Sequence, residues 1–283
     1  MLFNNKNTGE LQDFNDSYEP EFLINTFIIG AQKSGTTTIA NMLNSNKDVC
    51  MSGPKEPRFF EYEYPLGIKY YNEKYFPHYN GEKIICEART THMFIPFVSD
   101  RIEQTNHNAK IIAILRNPIE RAFSAWHHFQ RMRPGREILS VHDALFESMD
   151  YYNPNLFRNE QEYVQSLDPM GGSYNNAYVE AGCYYDLLTK NWIGKFNDLK
   201  ILFMQDLVED PSKLYLDMCD FLDIEPMDYD STPKNMYSDY SIKEIKTNYP
   251  YLYSKLSSFF RNDVAMLSQF LNRDLLIEWD IER

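Results

Sequence analysis

Phe27-Ile28-Ile29-Gly30-Ala31-Gln32-Lys33-Ser34-Gly35-Thr36-Thr37-Thr38 is the stretch from which the rest of the chain can be read. A short apolar run of β type enters a Gly/Ser/Thr turn that carries one lysine, and a helix-forming segment from Ile39 to Leu43 follows. Strand, turn and helix in that order build an anion cradle: N–H groups of the turn and of the helix N-terminus converge on one spot, and the helix dipole favours negative charge there. Gly30 and Gly35 permit a tight turn and the close approach of a phosphate. Lys33 adds a mobile point charge, and the hydroxyls of Ser34, Thr36 and Thr37 add donors.

The spacing separates this turn from that of an ordinary nucleoside triphosphatase, whose loop reads G-x4-G-K-[ST]. Gly30 and Gly35 keep the glycine interval, but Thr36 stands in the lysine position and the lysine comes earlier, at Lys33. A second element follows at Lys110-Ile111-Ile112-Ala113-Ile114-Leu115, a continuous apolar run that reads as a strand buried on both faces. Arg116-Asn117-Pro118-Ile119-Glu120-Arg121-Ala122-Phe123-Ser124 continues it, with Pro118 suited to a first helical turn and Glu120 favourable near the N-terminus. Ligands of open α/β sheets bind at the carboxyl ends of strands. Lys33 on one strand-to-helix turn, and Arg116 and Ser124 on another, are therefore expected to hold two phosphates of one nucleotide, the guanidinium by its planar fork.

With these residues in place, the pair G-A-Q-K-S-G-T-T and L-R-N-P-I-E-R-A-F-S resembles the two signature elements of sulfotransferases that use 3′-phosphoadenosine 5′-phosphosulfate (PAPS). Lys55-Glu56-Pro57-Arg58-Phe59-Phe60 resembles the K-E-P-x-F-F segment of the heparan-sulfate-type branch. Gly182, Tyr184, Leu188 and the following Trp192 are similar to a helix of that branch, and Asp206-Leu207 with Asp210-Pro211 to its E-D-L-x-x-x-P turn. Arg273-Asp274-Leu275 with Trp279 fits its C-terminal end, so the likeness runs from about Phe27 to Trp279.

The resemblance implies roles. Lys33 matches the lysine that contacts the 5′-phosphate and the bridging oxygen, with Ser34, Gly35, Thr36 and Thr37 around that phosphate. Arg116 and Ser124 match the 3′-phosphate ligands. Thr38 falls where cytosolic members often place a tryptophan against adenine. Lys234, in Ser231-Thr232-Pro233-Lys234-Asn235, is either a further 3′-phosphate partner or an exposed loop lysine. Two residues compete for the general base. Glu56 matches the glutamate of the heparan-type branch, beside Lys55, whereas His92 lies in a segment like the K-T-H-L of the cytosolic branch. Either side chain suits proton abstraction near neutral pH. The implied co-substrate is PAPS and the product PAP, with no metal required. His127 and His128, adjacent on one helix, face different directions and make a poor metal site.

The remaining features bound the class. The chain has 283 residues, 43% hydrophobic and 15% aromatic, which places it among globular proteins and leaves room for one large domain. Strands are predicted at Phe27–Ile29, Ile84–Cys86, Ile111–Leu115 and Ile201–Met204, and helices at Thr37–Asn44, Phe97–Gln104, Pro118–Met132, Tyr184–Lys195, Ser212–Leu222 and Tyr249–Leu271. This alternation predicts a single α/β domain with a P-loop-like central parallel sheet flanked by helices. Residues 1–22 read as a polar leader without signal-peptide character, residues 23–283 as the domain, and 134–175 as a variable insertion that lids the acceptor pocket. Cys50, Cys86, Cys183 and Cys219 lie far apart, as expected of buried, reduced thiols in a cytoplasmic protein. With 28 basic and 41 acidic residues the net charge is −13, which argues against nucleic acid as partner and against polyanionic heparan as acceptor. No apolar run is long enough to span a membrane. The expected partner is a small neutral or cationic acceptor, for which a saxitoxin-type alkaloid is one chemical example. A glycan O-sulfotransferase, a P-loop kinase or NTPase and an inactive nucleotide-binding protein are the alternatives.

Overall fold

The computed structural model describes residues 22–132, 139–157, 159–166, 177–228 and 240–282. Five strands are found among them: β1 (Thr26–Gly30), β2 (Val49–Met51), β3 (Ile84–Ala88), β4 (Lys110–Leu115) and β5 (Leu199–Phe203). They form one sheet in the order β2-β3-β1-β4-β5, and every pairing is parallel. The four predicted strands correspond to β1, β3, β4 and β5, except that Met204, the last residue of the fourth, opens the helix that follows, and β2 is an addition. Its three residues, Val49-Cys50-Met51, are too short for an apolar period to register.

Helices along the described chain are α1 (Thr36–Asn44), α2 (Gly67–Tyr75), α3 (Pro96–Thr105), α4 (Pro118–Met132), α5 (Val141–Asp150), α6 (Glu160–Ser166) and α7 (Tyr184–Asn191). They continue with α8 (Met204–Glu209), α9 (Pro211–Leu222), α10 (Ile242–Asn248), α11 (Pro250–Leu271) and α12 (Leu275–Glu278). The six predicted helices correspond to α1, α3, α4, α7, α9 and α11, with α7 ending at Asn191, four residues short of the predicted Lys195.

The sheet divides the core by the two-residue period of its strands. Phe27 and Ile29 of β1 and Ile111, Ala113 and Leu115 of β4 face one layer, with Phe123 of α4, Leu188 of α7, Trp192 just after it and Phe260 and Val264 of α11. Ile28, Ile112 and Ile114 face the other, with Ile39 and Leu43 of α1 and Leu214, Met218 and Leu222 of α9. Both faces are covered, which is why the strands read as unbroken apolar runs. The four cysteines are free and buried, as the sequence predicts.

Local chemistry fixes the helix starts. Asn117 Oδ1 accepts from the N–H groups of Ile119 (2.9 Å) and Glu120 (3.3 Å), and Pro118 opens α4. Asn117 also donates through Nδ2 to the carbonyl of Trp279 at 2.6 Å, so the same residue anchors the C-terminal segment. Asp210 caps α9 by accepting from Lys213 N–H at 2.9 Å, with Pro211 behind it. The expected leader covers residues 1–22, of which 1–21 lie outside the described residues, as does part of the expected insertion. Within the rest of that insertion stand α5 and α6.

Candidate active site

The loops that follow β1, β3 and β4 share the carboxyl edge of the sheet, because β1 sits between β3 and β4 and all three run parallel. The first of these loops starts with Ala31 N–H donating to Ile114 O at 2.8 Å, which pins its entrance to β4. Lys33 has φ 65° and Gly35 φ 100°, left-handed conformations that bend the chain into the axis of α1. A Cβ on Gly30 would lie 3.0 Å from Thr90 O and 3.2 Å from Met93 Cβ, so the close approach of the loop after β3 requires glycine here. Gly35 is the N-cap of α1 and supplies no side-chain cap. Thr38 N–H already donates to Gly35 O at 3.0 Å, which leaves the N–H groups of Thr36 and Thr37 to open onto the edge of the sheet. Ser34 Oγ is buried without a partner just before them. An uncapped helix start, a buried unpaired hydroxyl and a lysine in one turn fit a phosphate group, and Thr36, Thr37 and Thr38 form the first turn of α1 beside it.

Arg116, directly after β4, lies against this loop. Its Nη1 donates to Lys33 O at 3.2 Å, so the two strand-to-helix turns of the sequence argument are in direct contact. The guanidinium is nearly fully buried. Nε and Nη2 both lie 3.2 Å from Glu120 Oε2, one turn along α4, and Nη2 is 3.5 Å from Tyr240 O. Tyr184 of α7 donates to Arg116 O at 2.9 Å, so α7 backs the turn that carries Arg116. Ser124 is buried on α4. Lys234 lies outside the described residues.

Glu56 reaches the same edge by a different route. It has φ 67°, and its N–H donates to Ala88 O at the end of β3 (3.1 Å). The carboxylate is held between two cations, with Lys55 Nζ 3.0 Å from Oε1 and Arg89 Nη1 3.3 Å from Oε2, and its side chain is 36% exposed. It faces solvent and carries a lone pair that an acceptor can approach.

Sequence reasoning missed the group behind Glu56. Arg89 is turned by Glu61, whose carboxylate is wholly buried and accepts from Arg89 Nε (2.6 Å) and Nη2 (2.8 Å), from Thr91 Oγ1 and from Tyr163 OH (2.7 Å). Burial pushes the Glu61 carboxyl up, but the charge of Arg89 and the hydrogen bonds outweigh it and hold the group below its usual range. One signal was available: Arg89 directly follows β3, the position that makes Arg116 conspicuous after β4.

His92, the rival base, sits elsewhere. Its ring is 0% exposed, packs edge-on against Phe60 with centroids 6.1 Å apart, and leaves both nitrogens without hydrogen-bond partners. Nδ1 lies 3.4 Å from Glu87 Oε1. Burial pushes His92 down to about 3 and Glu87 up to about 8, so at neutral pH both are uncharged, and Tyr71 OH donates to the other oxygen of Glu87 at 2.5 Å. The linkage has a definite sign. Glu87 titrates at about 8 folded and near 4.5 unfolded, so its contribution to stability is full below about 4.5 and is lost as pH rises to about 8. His92, depressed from 6.5 to about 3, contributes stability above about 6.5 that is lost towards about 3, so the two effects oppose each other at intermediate pH. Between pH 6.5 and 8 only the Glu87 loss remains. Glu87→Gln is expected to flatten the fall in melting temperature over that window, measured by thermal denaturation in parallel with the parent protein. An equal slope in both refutes the assignment.

Among the described residues no group of three or more His, Cys, Asp or Glu is arranged to hold a metal ion, and no helix is long and apolar enough to cross a membrane.

Comparison with known proteins bears on the family and the fold. The sequence model of the sulfotransferase domain matches residues 23–279. The chain is 35% identical over 108 residues to the membrane-associated sulfotransferase kil1 of Dictyostelium discoideum, covering 37% of the chain and 23% of that protein. It is 24% identical over 200 residues to human heparan sulfate glucosamine 3-O-sulfotransferase 3B1, covering 70% of the chain and 45% of that protein. The chain thus spans less than half the length of these relatives. A sulfotransferase from Alicyclobacillus acidocaldarius superposes with a TM-score of 0.69 at 25% identity, over 91% of this chain and 98% of that one. With the family model covering nearly all of it, the chain belongs to the sulfotransferase family.

Proposed function

We propose that the protein transfers the sulfuryl group of PAPS to a hydroxyl or amine of a small-molecule acceptor by in-line displacement. The observation that carries this reading is the meeting of three loops at one edge of the sheet. The Lys33 turn touches Arg116 at 3.2 Å, and Glu56 is tied to the end of the neighbouring strand β3 at 3.1 Å. The donor supplies an activated sulfuryl group on a bridging oxygen. The rest is positioning and electrostatics, as in phosphoryl transfer. The N–H groups at the start of α1 and the hydroxyls of Thr36 and Thr37 hold the 5′-phosphate, and Lys33 places its ammonium at the bridging oxygen where negative charge grows. Glu56, open to solvent, takes the acceptor proton. The burial of His92 favours Glu56 over it as the base.

Arg116 and Ser124 are assigned to the 3′-phosphate. For Arg116 this means giving up the carbonyl of Tyr240 and sharing or exchanging the Glu120 carboxylate for a phosphate, which the guanidinium fork can grip in two places. Arg116→Ala is expected to weaken binding of PAP by about 10–100-fold, the loss of one charge-assisted contact, in a calorimetric titration without Mg²⁺. Undiminished affinity refutes the assignment, and binding that requires Mg²⁺ favours an NTPase-like site instead.

The acidic balance of the chain, −13, supports a neutral or cationic acceptor, including a guanidinium-bearing alkaloid of saxitoxin type. Similarity to the heparan sulfate 3-O-sulfotransferases favours a second reading, a glycan acceptor. The four buried thiols support a cytoplasmic setting. A screen of phenols, amines, alkaloids and glucosamine oligosaccharides with ³⁵S-labelled PAPS distinguishes them. Transfer to the oligosaccharides alone selects the glycan reading, and no transfer to any member together with intact PAP binding selects an inactive nucleotide-binding protein.

A further inference from the structure

Arg89 spends its donors in an ordered way. The Nε–Nη2 edge lies along both oxygens of Glu61, and Nη1 alone is turned to Glu56. One guanidinium serves both carboxylates, so what holds Glu61 bears on the cation that touches Glu56. Glu61 is fixed from three directions. Thr91 donates from the loop after β3, and the backbone of residues 60 and 61 is held by Arg101 Nη1, 3.0 Å from Phe60 O and 2.7 Å from Glu61 O. Tyr163 donates from α6, in the expected insertion, and α6 makes a second tie through Glu160, paired with Arg101. The path from α6 to Glu56 is therefore an unbroken series of hydrogen bonds: Tyr163 to Glu61, Arg89 to Glu61, Arg89 to Glu56.

We propose that Glu61, latched to the insertion by Tyr163, is a positioning residue for Glu56: it aims the Arg89 guanidinium and offsets its charge. The idea rests on the assignment of Glu56 as the base. Arg89 unopposed would be a strong counter-ion for Glu56, stabilising its carboxylate and making it a poorer proton acceptor. Paired to the buried Glu61 it retains the geometry of a hydrogen-bond donor while its field at Glu56 is largely cancelled. Lys55 is the other charge in contact with Glu56, and it lies on the exposed side, where solvent screens it. His92, near Glu61, is buried and neutral and adds no charge. The low position of the Glu61 carboxyl agrees with a permanently ionised partner. The consequence for function is that the insertion and the base are ordered together: α6 docked on Glu61 and a correctly aimed Arg89 are one state.

The test needs no acceptor. Protein carrying ¹³C at the glutamate δ-carbon is titrated by NMR, with the Glu56 signal identified by its loss in Glu56→Gln. In Glu61→Gln the Glu56 signal is expected to titrate at lower pH than in the parent, since the charge of Arg89 is no longer offset. In Glu61→Asp, which keeps the charge, it is expected to stay near the parent value. Packing damage alone would affect both variants alike. Unshifted titration in Glu61→Gln, or equal shifts in the two, overturns the proposal. In Tyr163→Phe, amide hydrogen exchange is expected to speed up at 59–63 together with 160–166, and parent-like protection at 59–63 overturns the link to α6. Failure of the base assignment is seen separately: Glu56→Gln with full sulfuryl transfer refutes it while leaving the relay intact.

Discussion

Lys33→Ala is expected to lower turnover by about 10²–10³-fold, the loss seen when one preorganised donor to a developing oxyanion is removed. Lys33 occupies a left-handed position in a turn pinned to β4 through Ala31 and to Arg116 through its own carbonyl. These restraints are on the backbone, so the alanine variant keeps the shape of the loop and loses only the ammonium. PAP affinity should therefore fall much less than the rate, because the N–H groups of α1 and the 3′-phosphate ligands remain. The measurement is single-turnover transfer from labelled PAPS beside calorimetry with PAP. A rate within a few-fold of the parent would refute Lys33 as the partner of the leaving oxygen. A parallel loss of rate and affinity would assign it to ground-state binding instead.

The sheet was legible because its strands are buried on both faces. Ile111 to Leu115 divide between two core layers, and a doubly buried strand leaves a short continuous apolar run, which its length, its isoleucines and the turn residues after it separate from a buried helix. The two basic turns were legible for a related reason: Arg116 comes directly after such a run and Lys33 three residues after another, where the backbone must turn. What stayed hidden depends on contacts between distant segments. Glu61 looks like one acid among the many of Phe59-Phe60-Glu61-Tyr62-Glu63, and only the fold brings Arg89, Thr91 and Tyr163 around it. His92 was read as a candidate base from the loop it occupies, and a residue in that loop can turn outward to an acceptor or inward to the core. It turns inward, onto Phe60 and Glu87, a choice made by packing that leaves no local mark in sequence. The edge strand β2 escaped because three residues carry no period.

The inward turn of His92 separates two substitutions that the sequence alone treats as equals. Glu56→Gln keeps the size of the side chain and one acceptor oxygen for Lys55 or Arg89, while abolishing the proton acceptor. Turnover is expected to fall by about 10²–10⁴-fold, the usual contribution of a positioned base, with PAP binding unchanged. His92→Gln should do the reverse. The ring is 0% exposed and fills space against Phe60, so its replacement by a buried amide costs stability of about 1–3 kcal/mol and leaves kcat within a few-fold. The pair is read by kcat on one axis and by urea midpoint on the other. A large kcat loss in His92→Gln with an unchanged midpoint would mean that the imidazole reaches the acceptor, which requires a rotation away from Phe60 and Glu87. That rotation would leave Glu87 as a neutral acid with one oxygen facing an empty apolar space. A buried group that must stay protonated to be tolerated is a poor neighbour for a residue that has to give and take protons in each cycle, whereas Glu56, open to water and flanked by cations, can exchange its proton at once. Base catalysis is therefore expected to follow exposure here, and the carboxylate at the rim to carry it.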